Sequence, residues 1–238
     1  IFWHSLDDDS IFEPWVNLSA TCKCTGWGVP RVVQQPDQDH GAFKEEHPVQ
    51  DYDEDLSNLR MAYHEVDEEA TAEKLARLQD AIGDIITINL DRCSDYRMWA
   101  GDISTIIGSL RGIEPIMYDM MDQPEKLHKL LSFVRDGILR AHDQAEAAGD
   151  WGLHAHENQA MPYAEELEDP APNTSGIKRK QLWGYAASQE FTLISPEMQD
   201  EFLLQYQLPI LKKFALTAYG CCEDLTRKID MLRQIPNL

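Results

Sequence analysis

Basic residues are scarce in this chain. Its 238 residues carry 21 lysines and arginines against 42 aspartates and glutamates, a net charge of −21. With no basic surplus to neutralise phosphates, nucleic-acid binding is not expected. Anionic membrane surfaces and polyanionic substrates are disfavoured for the same reason. Long apolar runs are lacking too, and none approaches the ~18 residues needed to span a bilayer. Cysteines are few and odd in number: Cys22, Cys24, Cys93, Cys221 and Cys222. That count, the size and the lack of a signal-peptide pattern point to a reducing cytoplasm. There is no internal repeat and no low-complexity tract. An initiating Met is also missing, and the chain stops at Ile235-Pro236-Asn237-Leu238, where a helix ends and a strand would be due. Both ends are therefore expected to continue.

What is present suits a globular enzyme-sized unit. Hydrophobic residues make up 43% of the chain, enough for a sizeable core, and residues 1–238 read as a single domain. Asp7, Asp8 and Asp9 read as a solvated loop, because three consecutive acids cannot all face one cation. Val16 to Cys24 is a first strand, followed by a polar, proline-containing, acidic excursion at about 26–60 with one hairpin around Val29–Val33. Asp67 caps a helix with Leu75, Leu78 and Ile82 inward and Gly83 at its end. Ile85 to Leu90 follows as a strand. Pro124 opens the clearest helix, in which Leu127, Leu130, Leu131, Val134, Ile138, Ala141 and Ala145 recur at helical spacing until Gly149. A short strand around Gly152–His156 precedes an acidic insertion at about 158–178. Lys178, Arg179 and Lys180 form a basic cluster that reads as a solvated turn. Gln181 to Phe191 is a strand, and Ser195-Pro196 starts a helix that carries Met198, Phe202 and Tyr206 inward and kinks or breaks at Pro209. Leu225, Ile229, Leu232 and Ile235 stripe a last helix. Helices and strands alternate, about five units of them, which predicts a parallel α/β fold.

Chemistry concentrates at Leu216–Asp224, LTAYGCCED. An apolar run ends there in Gly220, two adjacent thiols and two acids. Strand carboxyl ends are where α/β proteins place their sites. Cys221 and Cys222 beside Glu223 suit a soft metal or a thiolate, or else are small buried hydrophobes. His154 and His156 would share one face of a strand and offer a metal or substrate site. Asp102, near Trp99, either positions substrate or caps a helix.

Two segments resemble the uroporphyrinogen decarboxylase superfamily. In residues 104–131, STIIGSLRGIEPIMYDMMDQPEKLHKLL, the residues Gly112, Glu114, Asp119, Pro124 and Glu125 occupy its Gly-Glu, Asp and Pro-Glu places. Residues 183–211, WGYAASQEFTLISPEMQDEFLLQYQLPIL, resemble its strand, Ser-Pro-Glu turn and helix ending Tyr-x-x-Pro. The match runs roughly from residue 85 to 238. It implies a (β/α)8 TIM-type barrel, incomplete in this chain. True decarboxylases place a tyrosine near residue 109, where this chain has Ser109, and need basic residues for a polycarboxylate; both departures point away from that activity. The superfamily's methyltransferases instead move methyl groups between corrinoids, small donors and thiols, and hold zinc through a His-x-Cys-Gly strand end. Cys222 falls on that cysteine, Gly220 stands where the histidine belongs, and Glu223 replaces the glycine. The resemblance therefore implies a zinc thiolate at Cys222 with Cys221 beside it, and protons handled by Glu190 or Glu223. Ser188, Gln189 and Glu190 sit where the superfamily places polar substrate-contacting residues, and Asp102, His154, His156 and Tyr219, by their places at strand ends, are further substrate-binding candidates. A corrinoid carried by a partner protein, a small-molecule substrate and pairing into a homodimer are implied as well. A metal-independent decarboxylase or lyase acting on a small carboxylated substrate and a non-catalytic barrel remain the alternatives.

Overall fold

The computed structural model describes residue 5 and residues 11–24, 26–30, 32–34 and 44–238. Asp7, Asp8 and Asp9 lie outside these. The strands are β1 (Trp15–Ser19), β2 (Val32–Gln34), β3 (Lys44–Glu46), β4 (Thr87–Asp91), β5 (Trp183–Ala186) and β6 (Leu216–Tyr219). β1 pairs with β4 and β5 with β6, both parallel, while β2 and β3 form a small antiparallel arm within the polar excursion. Parallel neighbours require crossovers, and helices α1 (Tyr52–Asp55) and α2 (Glu68–Ile82) lie in the one between β1 and β4, α6 (Pro196–Gln199) and α7 (Gln205–Leu211) in the one between β5 and β6; α3 (Ile103–Arg111), α4 (Ile113–Asp122) and α5 (Pro124–Ala148) lie between β4 and β5, and α8 (Ile229–Leu232) follows β6. Among the described residues no helix is long and apolar enough to cross a membrane.

α5 is the pillar of the core. Pro124 sits in its first turn, where a missing N–H costs nothing, and Gly149 closes it in the left-handed region at φ 78°. Its stripe, Leu127, Leu130, Leu131, Val134, Ile138, Ala141 and Ala145, is fully buried. The apolar block after Met98 is two helices, α3 and α4, separated by Gly112 at φ 92°.

Four expectations need correction. Gly152–His156 is not a strand: a 3-10 turn spans Leu153–Ala155. The reason lies in the insertion, whose residues take the hydrogen bonds a strand there would use. Asn173 bonds along β4, the Leu153 N–H donates to Thr174 Oγ1 and the Ile177 N–H donates to the Trp151 carbonyl. Arg179 is buried rather than solvated, with its guanidinium on Asp143 and Glu146 of α5. The helix after Ser195 runs on through Pro209, and a wide π turn at Asp200–Leu204 takes up the change of register upstream of the proline. The last helix is only α8, so Met231 and Leu232 face inward and Ile229 is exposed.

Candidate functional site

The carboxyl ends of β5 and β6 are adjacent because Ala186 pairs with Tyr219. Beyond Tyr219, Gly220 turns the chain at φ 113°, a conformation that suits glycine. Cys221 and Cys222 follow, both exposed, with sulfurs 3.1 Å apart. Glu223 folds back over the turn. Its Oε1 accepts from the Ser188 N–H at 2.8 Å and from the Ser188 hydroxyl at 3.1 Å, and its Oε2 accepts from the Cys221 N–H at 2.8 Å. Burial works against ionisation of Glu223, yet these N–H donors outweigh it and hold the carboxyl below its usual range. Glu223 thus laces the two strand tips together.

Asp102 is the buried counterpart. It caps α3 by accepting from the Thr105 N–H at 3.0 Å, and its other oxygen accepts from the Ala187 N–H at 3.0 Å. Burial, with a further push from the Glu190 charge, raises its carboxyl to about 7. Gln207 of α7 reaches the same place, donating 2.7 Å to the Ala187 carbonyl and accepting from the Tyr219 hydroxyl at 2.9 Å. Tyr219 therefore lies on the helix side of the strand, tied to α7. Ser188 is buried and Gln189 exposed.

Glu190 accepts from the Ser104 hydroxyl and looks into a cavity of about 460 Å³ lined by His47, Thr105, Gly108, Ser109 and Ile113. A neighbouring apolar cavity of about 370 Å³, walled by Trp27, Tyr96 and Trp99, shares Thr105 and Ser109 with it. At Gly108 a Cβ would lie 2.9 Å from the Glu190 side chain, so glycine is what lets this carboxylate reach the cavity.

Tyr185 was not foreseen from the sequence. Its ring meets Trp99 edge-on at 4.9 Å, and its buried hydroxyl has no hydrogen-bond partner among the described residues. Burial and the neighbouring Asp102, Cys221, Glu223 and Cys222 all push this phenol upward. A buried hydroxyl with nothing to bond calls for an explanation. Ser104 and Gln207 were also missed. The only available cue for Gln207 was a polar residue on the inward stripe of α7.

The two histidines do not join this centre. His154 Nε2 lies 3.0 Å from Asp91 Oδ1 at the end of β4, and His156 Nδ1 accepts from the Trp183 N–H at 3.2 Å. The 3-10 turn breaks the two-residue alternation that would have put them on one face.

Zinc fits the thiol pair poorly. Two sulfurs about 2.3 Å from one tetrahedral ion stand about 3.7 Å apart, and here they are 3.1 Å apart. Among the described residues, the group of three ligating side chains lies elsewhere, at Asp91, Cys93 and His154. The hydrogen bond shared with Cys222, with a smaller contribution from the surrounding protein, raises the exposed Cys221 thiol to about 11, so it stays protonated near neutral pH. Eight of the ten side chains predicted from the sequence still gather around the β5–β6 tips: Asp102, Ser188, Gln189, Glu190, Tyr219, Cys221, Cys222 and Glu223. No family model, curated protein or solved structure matches the chain.

Proposed function

We propose that the chain is an enzyme whose centre is the β5–β6 tip, and that it transfers a methyl group from a corrinoid or other small donor to a small thiol. One observation carries the choice of centre: the buried Tyr185 hydroxyl, without a partner among the described residues and within electrostatic reach of Asp102, Cys221, Cys222 and Glu223. A substrate atom would supply its missing partner. The choice of reaction rests on the resemblance. The two segments that resemble the methyltransferase-containing superfamily are the ones that meet here, one bringing Ser104 and the other Tyr185, Ser188 and Glu190. The two parallel strand pairs with helical crossovers also suit an arc of a (β/α)8 barrel, and the Thr217 N–H already bonds to the Asn237 carbonyl beyond β6.

In this mechanism the apolar wall of Trp27, Tyr96 and Trp99 receives the donor and excludes water. Glu190 takes the proton of the incoming thiol, with Ser104 orienting the carboxylate. A methyl-corrinoid or other small donor, if bound there, would supply an activated methyl group that the thiolate could take as the donor keeps the bonding pair, while Glu190 retains the thiol proton. Tyr185 holds the thiol substrate by hydrogen bonding. Asp102 and Gln207 position the loop and touch no substrate.

Methylcobalamin and 2-mercaptoethanesulfonate test the proposal, with cobalt absorbance and mass spectrometry of the thioether as readouts. Thioether should form faster with protein than without, and Glu190→Gln should slow it by roughly 100-fold. Equal rates with and without protein would refute the assignment. A second reading, a metal-independent lyase on a small carboxylate, is favoured by the carboxyl of Asp102, raised to about 7 beside Glu190. Carbon dioxide release without methyl transfer would decide for it.

A further inference from the structure

Asp91 ends β4, and Cys93 stands two residues beyond it, so one strand tip presents a carboxylate and a thiol together. The 3-10 turn Leu153–Ala155 delivers His154 to the same point. His154 Nε2 is 3.0 Å from Asp91 Oδ1 and 3.7 Å from Cys93 Sγ, and the three ligating atoms all lie within 4.8 Å of one another. A tetrahedral zinc ion with bonds of about 2.1 Å to nitrogen and oxygen and about 2.3 Å to sulfur would separate nitrogen from oxygen by about 3.4 Å and sulfur from nitrogen by about 3.6 Å. The side chains therefore already stand near three corners of such a shell. His154 and Cys93 are each 3% exposed, as side chain and as residue respectively, and the Asp91 side chain is 12% exposed.

Outer groups hold two of these corners in place, while His154 Nδ1 is buried without a partner among the described residues. Asp91 Oδ1 accepts from the Cys93 N–H at 3.0 Å, and Arg97 binds the second Asp91 oxygen. The Cys93 thiol points at the Asp150 carbonyl, 3.2 Å away. Metal ligands are commonly oriented by such second contacts.

We propose that Asp91, Cys93 and His154 bind a divalent cation of the zinc class, at a site separate from the β5–β6 centre. Binding releases one proton, from the Cys93 thiol to solvent. The resulting thiolate and the Asp91 carboxylate balance the two positive charges of the ion itself, with the Arg97 guanidinium beside Asp91 adding one more charge at the edge of the site. His154 binds as the neutral ring. Three protein ligands leave one tetrahedral position for water or a substrate atom. None of the residues used in the methyl-transfer reading takes part.

Cobalt(II) titration tests this, because a cobalt–thiolate bond gives a charge-transfer band in the near ultraviolet. The Cys221→Ser/Cys222→Ser protein should keep the band and bind one equivalent of cobalt, with zinc displacing it. Adding Cys93→Ser should abolish the band, and His154→Gln should weaken binding by at least tenfold. As a folding control, the metal-free melting temperature of each variant is compared with its melting temperature in zinc: zinc should raise it in the Cys221→Ser/Cys222→Ser protein and leave it unchanged once Cys93→Ser is added. Absence of the band from the Cys221→Ser/Cys222→Ser protein, or its survival in the triple variant, would overturn the site. Loss of methyl transfer with the cobalt band intact would instead overturn only the functional reading.

Discussion

Arg111 and Asp119 face each other between α3 and α4, with Nε to Oδ2 at 2.7 Å and Nη2 to Oδ1 at 3.0 Å. The Tyr52 hydroxyl donates to the same carboxylate at 2.7 Å, and the guanidinium lies over the Tyr52 ring and donates to the Val49 and Gln50 carbonyls. Removing one partner would leave a buried charge bare. Asp119→Ala should therefore cost about 3 to 5 kcal/mol in urea unfolding, while the apolar pair Arg111→Met/Asp119→Leu should recover much of it. Asp102 gives a residue-scale dependence on pH. Burial raises its folded pKa above the unfolded value of about 4, so its contribution to stability is complete below that value and is lost as pH rises toward about 7. Asp102→Asn keeps a capping oxygen, and should flatten the fall in urea midpoint between those limits. Asp102 also shows what sequence could and could not reveal. Its place ahead of a helical run marked it as a cap, but its bond to Ala187 spans 85 positions and has no local signature.

Elements with local cues were legible. α5 begins at its proline and ends at its glycine as foreseen, because both cues act within a single turn. Its one unexplained interior glycine, Gly137, makes sense only in three dimensions: a Cβ there would sit 2.6 Å from the Trp27 ring. Alanine ordinarily favours a helix by about 1 kcal/mol over glycine. Here Gly137→Ala should destabilise by about 1 to 3 kcal/mol through overpacking. Combined with Trp27→Leu, the same change should cost less, with the Ala62 backbone nitrogen at 3.2 Å still crowding the new methyl, and a double-mutant cycle by chemical denaturation would show that coupling. The strand expected at Gly152–His156 failed for the opposite reason. What displaced it, Asn173 and Thr174, lies some twenty residues further along the chain.

At the scale of the molecule, a net charge of −21 concerns solubility and self-repulsion more than fold. Raising salt from about 0.02 M to about 0.3 M should screen that repulsion and increase the melting temperature, until specific ion pairs such as Arg92 with Glu68 weaken. The α/β alternation and the gathering of acids and thiols at one pair of strand tips were readable, since each depends on periodicity or on strand ends. The placing of His154 and Cys93 in another cluster, and of His156 on the Trp183 N–H, was not, because it depends on which segment borders β4.

That border has a further consequence. The Asn173 side chain accepts from the Leu90 N–H at 3.3 Å and donates to the Ile88 carbonyl at 3.0 Å, while its own N–H reaches the Asn89 side chain. One amide thus imitates the paired face of a neighbouring strand and seals a row of peptide groups that could otherwise recruit another chain. Asn173→Ala should leave those groups open, and light scattering on mild heating should then report edge-to-edge association of the variant before wild-type protein shows any. The acidic insertion, in this view, acts as a detachable seal, and cleavage within it would turn the chain into a template for its own kind.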